Sequence, residues 1–198
     1  MRNWLLLAVV AAALGTAAPG SAGAAWDAKQ LKALRGAATS LRAAVLTVER
    51  DLKGKAFSAV AIVGEAAVTY VVKIDTGDKA LMAQVDAKTG KITESGTAAG
   101  ESLAKIKEFA KLKGSLLAAM KAAESTGKGK SFQAVYKRAG NKDLFEIDIA
   151  SRDDVEKDVV VDAASGKIRK VEEKTPDPSA QGVAGTAATG AAAATTTP

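Results

Sequence analysis

Four acidic side chains are the residues whose type and spacing could hold a metal ion. Asp153, Asp154, Glu156 and Asp158 fall within one hexapeptide, and oxygen ligands of this kind suit calcium. The alternating Asp or Asn positions and the glycine of an EF-hand loop are absent, however. We therefore expect a solvated hairpin turn here and keep the four residues as metal-ligand candidates only.

Nucleophilic catalysis has less support. The 198-residue chain contains no histidine and no cysteine, which removes imidazole bases, thiol nucleophiles and the commonest metal ligands. Ser58, Ser115 and Ser131 lie in no Gly-x-Ser-x-Gly context, so only a Ser–Lys arrangement could activate them. No glycine-rich phosphate-binding motif is present either. The sequence predicts a non-catalytic protein without a cofactor.

The charge pattern argues against nucleic acid as a partner. The formal net charge is +6, but the basic residues are spread evenly and no arginine cluster is interleaved with aromatic residues. Apolar residues make up 47% of the chain and aromatic residues only 4%. We therefore expect small cores built mainly from Val, Ile and Leu.

The two ends of the chain differ from its middle. Residues 1–24 have the features of a Sec-type signal peptide: Arg2, an apolar stretch from Trp4 to Leu14, and small residues at Ala22 to Ala24. The apolar stretch is much shorter than the roughly 20 residues that span a bilayer. We therefore expect cleavage after Ala24 and a periplasmic or secreted protein without membrane insertion. Residues 175–198 are rich in Ala, Thr, Gly and Pro, which predicts a disordered tail.

Between these ends the chain contains an internal repeat. Segments of the first half recur 75 residues later, and the offset becomes 76 after a one-residue insertion expected in the turn between Asp75 and Ala83. The recurring segments are Ser40–Ala44 with Ser115–Ala119, Gly54–Val60 with Gly129–Val135, and Val85–Ile92 with Val161–Ile168.

Each copy begins with a helical pattern. In the first, Leu31, Leu34, Leu41, Val45 and Val48 recur at helical spacing, and the second repeats the pattern from Ile106. The predicted N-caps are Asp27 and Ser102, and the predicted stops are Gly54 and Gly127. Either helix could also be bent or split at the glycines within it, Gly36 and Gly114.

Short β-rich runs follow each helix. The sequence predicts an α+β protein of two tandem repeats, residues 25–96 and 97–174, each an N-terminal helix packed on a small antiparallel β-meander, with a linker at Gly96–Gly100. The predicted strands are Phe57–Val63, Val68–Asp75, Ala80–Asp86, Phe132–Arg138, Leu144–Ala150 and Val155–Asp162.

Both copies resemble the PepSY family, in which a helix, a strand and an aromatic-centred strand are followed by a Val-Asp-x-x-Thr-Gly-Lys-Ile motif. Tyr70 and Phe145 occupy the aromatic position. The first copy closes with Asp86 and Gly90 at the Asp and Gly positions of the motif, and the second with Asp162 and Gly166, where Ser replaces Thr. We expect both aspartates to accept backbone N–H groups in a turn and both glycines to adopt positive φ.

The resemblance implies an exported binding module that recognises or inhibits a peptidase or peptide in the cell envelope. No protease domain follows the repeats, so a controlled peptidase would be a separate molecule. Val68–Asp75 and Phe132–Arg138 are the candidate strands for adding an extended peptide at a sheet edge. The alternatives are an envelope sensor of a ligand or metal ion, supported by the acidic hexapeptide, and a spacer that carries the tail.

Overall fold

The computed structural model describes residue 26 and residues 28–64, 67–98, 103–153 and 155–174. The predicted signal peptide, the predicted tail and the predicted N-caps Asp27 and Ser102 lie outside the described residues. Two helices followed by four strands occur twice. The elements are α1 (Ala28–Gly36), α2 (Leu41–Leu52), β1 (Lys55–Val63), β2 (Val68–Asp75), β3 (Ala80–Asp86), β4 (Ile92–Thr97), α3 (Leu103–Ala110), α4 (Leu116–Gly127), β5 (Gly129–Ala139), β6 (Lys142–Ser151), β7 (Glu156–Asp162) and β8 (Ile168–Lys174).

The helical segment of each repeat is split in two. The break follows Gly36 in the first repeat and includes Gly114 in the second. Helices α2 and α4 start directly after Ser40 and Ser115, whose hydroxyl oxygens accept the backbone N–H three residues on, at 3.2 Å. An N-cap serine satisfies an N–H that has no partner inside the helix, so the helix begins again after the break.

Lysines, not the predicted glycines, take the left-handed conformation after these helices. Lys53 and Lys128 have φ of 51° and 53°, and each donates its backbone N–H to the carbonyl four residues earlier. Gly127 is still helical. Gly54 is needed for a close approach, because a Cβ there would lie 2.6 Å from the carbonyl oxygen of Asp75.

Each repeat has a fourth strand that the sequence pattern does not predict. Among the strands that the structure describes, β4 pairs only with β3 and β8 only with β7, so these two strands form the edges of the sheet. All of their side chains are exposed or half-exposed. These strands therefore need no alternation of apolar and polar residues. Pattern-based prediction therefore stops at the turn that precedes each of them.

The strands of both repeats form one sheet. Its order is β4-β3-β2-β1-β5-β6-β7-β8, and every neighbouring pair is antiparallel. At its centre Ala59 of β1 pairs with its own counterpart, Ala134 of β5. Equivalent residues therefore meet across a pseudo-twofold axis, as they do in a symmetric dimer.

This continuous sheet overturns the predicted contact strands. Val68–Asp75 is β2, which lies between β1 and β3, and Phe132–Arg138 lies within β5, between β1 and β6. The backbone of β2 is paired along its length with both neighbours, and residues 133–135 of β5 pair with both β1 and β6, so neither strand is an edge strand. The free edges belong to β4 and β8.

The core lies between one face of the sheet and helices α2 and α4. Helix α2 contacts β1 and β2, and α4 contacts β5, β6 and β7. Helix α1 also contacts β5 and β6 of the second repeat, and α4 contacts β1 of the first. The two repeats therefore share one core. Among the described helices, none has the length and apolar character needed to span a membrane.

Candidate functional site

The two closing turns have the same hydrogen bonds. Asp86 Oδ1 accepts the backbone N–H and the hydroxyl of Thr89, both at 2.7 Å. Asp162 Oδ1 accepts the same two groups of Ser165, at 2.8 and 2.7 Å. The hydrogen bonds from Thr89 lower the pKa of Asp86. In Asp162 the guanidinium of Arg169 is the largest cause of a lowered pKa.

The glycines of these turns both have positive φ, 70° at Gly90 and 69° at Gly166. Each donates its N–H to the carbonyl of the aspartate four residues earlier, at 2.8 Å. An L-residue adopts this conformation only at a cost. The Asp and Gly positions of the motif thus form the turn that leads into the edge strand of each repeat.

The aromatic position of each repeat lies in the core. Tyr70 is 2% exposed and donates its hydroxyl to the carbonyl of Thr39 at 2.6 Å, and burial raises its pKa to about 12. Phe145 is buried against Phe109 and Tyr136, with ring centroids 6.4 and 6.2 Å away. Neither aromatic side chain is accessible to a ligand.

The four metal-ligand candidates are not gathered into one site. Asp153 is exposed in the β6–β7 turn, and Asp154 lies outside the described residues. Glu156 is 4% exposed; its carboxylate accepts the backbone N–H of Trp26 at 3.0 Å and pairs with Lys174 at 2.8 Å. Within the described part of the chain, no group of three acidic residues is arranged to hold a metal ion.

Lys174 organises the remaining carboxylates near β7. Its ammonium bonds Asp148 at 2.8 Å as well as Glu156. Burial alone would lower the pKa of Lys174, but these two hydrogen bonds outweigh it and raise the pKa. Burial also raises the pKa of Asp148 and of Asp158. The cluster is thus an internal ion-pair network centred on a lysine.

The candidate serines have structural partners. Ser115 caps α4, and the Ser131 hydroxyl donates to Glu124 Oε1 at 2.7 Å. Ser58 lies on β1 beside Lys73 of β2 and Val135 of β5. Ser115 and Ser131 thus have structural roles, and Ser58 is the candidate serine that lies beside a lysine.

The face of the sheet opposite the core carries a patch of apolar side chains, which we call the open-face patch: Val60, Ile62, Val71 and Val135. They alternate along their strands with buried core residues and do not belong to the core themselves. Val60 lies directly across from Val71, and Ile62 is 47% exposed. Polar and charged residues on neighbouring positions surround the patch: Ser58, Thr69, Lys73, Gln84, Gln133 and Glu146.

Sequence reasoning does not single out the open-face patch. In the β1 segment Phe57–Val63 every residue except Ser58 is apolar, so both faces of the strand look alike. A strand with one buried face needs apolar residues only at alternate positions. Apolar residues at the other positions as well are the signal that could reveal an exposed apolar face.

Comparison with known proteins identifies the repeats. The family model described as peptidase propeptide and YPEB domain, or PepSY, matches residues 40–95 and 113–172, more than half of the chain. No curated protein matches the chain.

Two solved structures are similar at low identity. One is a candidate lipoprotein from Clostridium difficile 630, with 19% identity, 69% of this chain and 93% of that chain covered, and a TM-score of 0.42. The other is the YpmB protein from Bacillus subtilis, with 26% identity, coverage of 67% and 95%, and a TM-score of 0.28. On the two family matches, the chain belongs to the PepSY family and carries two copies of the domain.

Proposed function

We propose that this protein is an exported, non-catalytic binding module that recognises a peptidase in the cell envelope through the open-face patch and restrains its activity. The family description names peptidase propeptides, which supports a peptidase as the partner class. The features of a signal peptide in residues 1–24 support export.

The observation that carries the proposal is the open-face patch on a sheet shared by both repeats. Four β-branched side chains there are half-exposed or exposed although they are large and apolar. A contiguous apolar area with a polar rim is typical of a protein interface. Because β1 and β5 are joined at the centre of the sheet, both repeats contribute to one binding surface.

Strand addition remains available at a different place from the one the sequence predicts. Of the two edges, β8 carries charged side chains at five of its seven positions, whereas β4 carries one, Glu94. Charged side chains on an edge oppose pairing with another strand. An extended peptide of the partner would therefore pair with β4, next to the first repeat's part of the open face.

The test is affinity capture from the native envelope with the tagged, exported protein, followed by assay of each recovered peptidase for inhibition. We expect a peptidase to be captured and inhibited, and Val71→Lys to abolish both effects because it places a charge within the patch, directly across from Val60. Leu46→Lys is the matched control, since Leu46 is 58% exposed on helix α2 and lies outside the patch. Equal loss in both variants, or capture without inhibition by the unmodified protein, would contradict the proposal.

A further inference from the structure

A second surface lies where α1, the end of α4, the start of β5 and the β6–β7 turn meet. These elements line an open cleft of about 430 Å³, within the size range of small-ligand sites. We call it the cationic cleft. Its charged lining comprises Arg35, Lys128, Lys130, Arg152 and Glu124.

The one carboxylate of the described lining is already engaged. Glu124 Oε2 accepts Nε of Arg42 at 2.8 Å, and Oε1 accepts the backbone N–H and the hydroxyl of Ser131 at 3.2 and 2.7 Å. Lys128 and Arg152 are exposed and form no ion pair with any residue that the structure describes. The positive charges of Lys128 and Arg152 are therefore not balanced by the carboxylate of the cleft.

Hydrogen bonds to backbone carbonyls hold the deeper cations in place. The Lys130 ammonium donates to the carbonyl of Arg35 at 2.8 Å, which leaves two of its three N–H groups for other acceptors. The Arg35 guanidinium donates to the carbonyls of Ser151 and Arg152, at 3.3 and 2.8 Å, and so fixes the turn that carries Arg152. These bonds orient the two side chains, and the partner of the Lys130 ammonium is a neutral carbonyl.

The floor of the cleft leaves no room for a further side chain. A Cβ on Gly129 would lie 2.2 Å from the carbonyl oxygen of Ala150, so the two strands approach as closely as glycine permits. The preceding residue, Lys128, is held in the left-handed conformation by its bond to the α4 carbonyl of Glu124. The backbone that presents the cations is therefore closely packed and hydrogen-bonded.

The first repeat shows what would neutralise such a cleft. There Lys55 lies directly across from Asp75, and the Asp75 charge acts to raise the pKa of Lys55 against the larger, opposing effect of burial. At the equivalent position of the second repeat, Lys130 lies across from Ala150. The counterpart of Arg35, 75 residues later, is Ala110. The cationic cleft thus lacks a carboxylate and gains a guanidinium relative to its equivalent.

We infer that the cationic cleft binds a carboxylate of an acidic peptide segment. Lys128 and Arg152 would make the outer contacts with this carboxylate, and Lys130 would make the inner contact. The bound carboxylate would then take the place that Asp75 fills in the first repeat. The binding of an acidic peptide to the cleft is independent of the proposed function. Only the origin of this carboxylate in the partner protein rests on the proposed function. The cleft shares no residue with the open-face patch.

The test is a titration of the ¹⁵N-labelled protein with the peptide acetyl-Asp-Glu-Asp-amide, with acetyl-Asn-Gln-Asn-amide as the matched neutral probe. We expect saturable shifts of the Gly129 and Lys130 amide signals with the acidic probe only. Replacing Lys128 and Arg152 by Gln should weaken binding about tenfold or more, because charge-assisted hydrogen bonds are lost. Ala150→Asp, which restores the first repeat's arrangement, should abolish it.

Lys53→Gln is the matched control, because Lys53 occupies the equivalent cap of the first repeat, and it should leave binding unchanged. Unaltered affinity in the Lys128/Arg152 variant, equal shifts with the neutral probe, or equal weakening by Lys53→Gln would overturn the inference. Tighter binding of inorganic phosphate at the same amides would assign the cleft to phosphate groups instead. Val71→Lys should retain peptide binding, so failure of the open-face proposal and failure of this one are distinguishable.

Discussion

The two repeats are alike in their backbone and different in their surface charge. Both have a serine N-cap, a left-handed lysine and a closing turn with Asp and Gly. In both, a glutamate accepts a backbone N–H of the first strand: Glu49 accepts from Ala56, and Glu124 accepts from Ser131. The outer face of the first repeat presents Val60, Ile62 and Val71, three of the four residues of the open-face patch. The second presents ion pairs such as Lys137 with Glu146.

This comparison separates residues that build the fold from residues that face a partner. In the closing turns, equivalent side chains make the same hydrogen bonds in both repeats. A position that differs, such as Asp75 and Ala150, changes the charge of a surface while the strand pairing stays in register. Two copies joined by one sheet can therefore offer two different surfaces on one rigid frame.

The largest expected effect concerns the aromatic cluster that distinguishes the second helix pair. Phe109 contacts Tyr136 and Phe145 of its own repeat and Phe57 of the other, with centroids 5.1, 6.4 and 5.8 Å away. Phe109→Ala should lower the free energy of unfolding by about 3–5 kcal/mol. Its counterpart variant Leu34→Ala should cost less. Urea unfolding measures both, and equal costs would mean that the bridge between repeats adds no stability.

High pH should affect the buried tyrosines of both repeats. Burial raises the pKa of Tyr70 and, together with its hydrogen bond to Asp143, that of Tyr136, in each case to about 12. In the unfolded chain, a tyrosine side chain has a pKa of about 10. The stabilising contribution is therefore complete below pH 10 and is lost as the pH rises from about 10 through about 12, by about 3 kcal/mol per tyrosine.

Melting temperatures followed from neutral to alkaline pH measure this loss, and Phe substitution at either tyrosine should flatten the alkaline decline. At neutral pH, Tyr70→Phe should cost more than Tyr136→Phe. The former leaves the Thr39 carbonyl without its side-chain donor, whereas Asp143 keeps Arg138 at 3.7 Å. The same alkaline decline in the double Phe variant would contradict the assignment.

The closing turns provide a smaller, sharper comparison. Alanine at either glycine must adopt positive φ, which costs about 1–2 kcal/mol. At Gly90 the new Cβ would also lie 3.0 Å from Thr39 Oγ1, whereas at Gly166 it meets open space. Gly90→Ala should therefore destabilise more than Gly166→Ala in chemical denaturation. The reverse order would show that the two turns are not equivalent in the folded protein.

The smallest effect is a gain in stability. Lys53 and Lys128 adopt the left-handed conformation that usually belongs to glycine. Lys53→Gly should raise the free energy of unfolding by up to about 1 kcal/mol, because relief of backbone strain exceeds the added entropy of the unfolded chain. Lys128→Gly should stabilise similarly but weaken binding of the acidic peptide. A thermal melt with and without the peptide measures both consequences.

The sequence by itself determined the repeat, the α+β class and the positions of six of the eight strands, because these depend on local signals: apolar periodicity, glycine in turns and short recurring motifs. The aspartates and glycines of the closing turns belong to the same category, since their hydrogen bonds span only a few residues. The edge strands β4 and β8 escaped prediction because an exposed strand has no apolar alternation to detect.

Tertiary structure decided how the repeats join. Pairing of β1 with β5 depends on two edges meeting across more than 70 residues of chain, and nothing in either segment's own pattern specifies that partner. Because of this pairing, the strands that the sequence suggests for peptide addition lie inside the sheet and not at its edges. The pairing also forms one open face from two repeats and brings Arg35 next to Lys130. The open-face patch and the cationic cleft follow from these long-range contacts, which local sequence patterns do not encode.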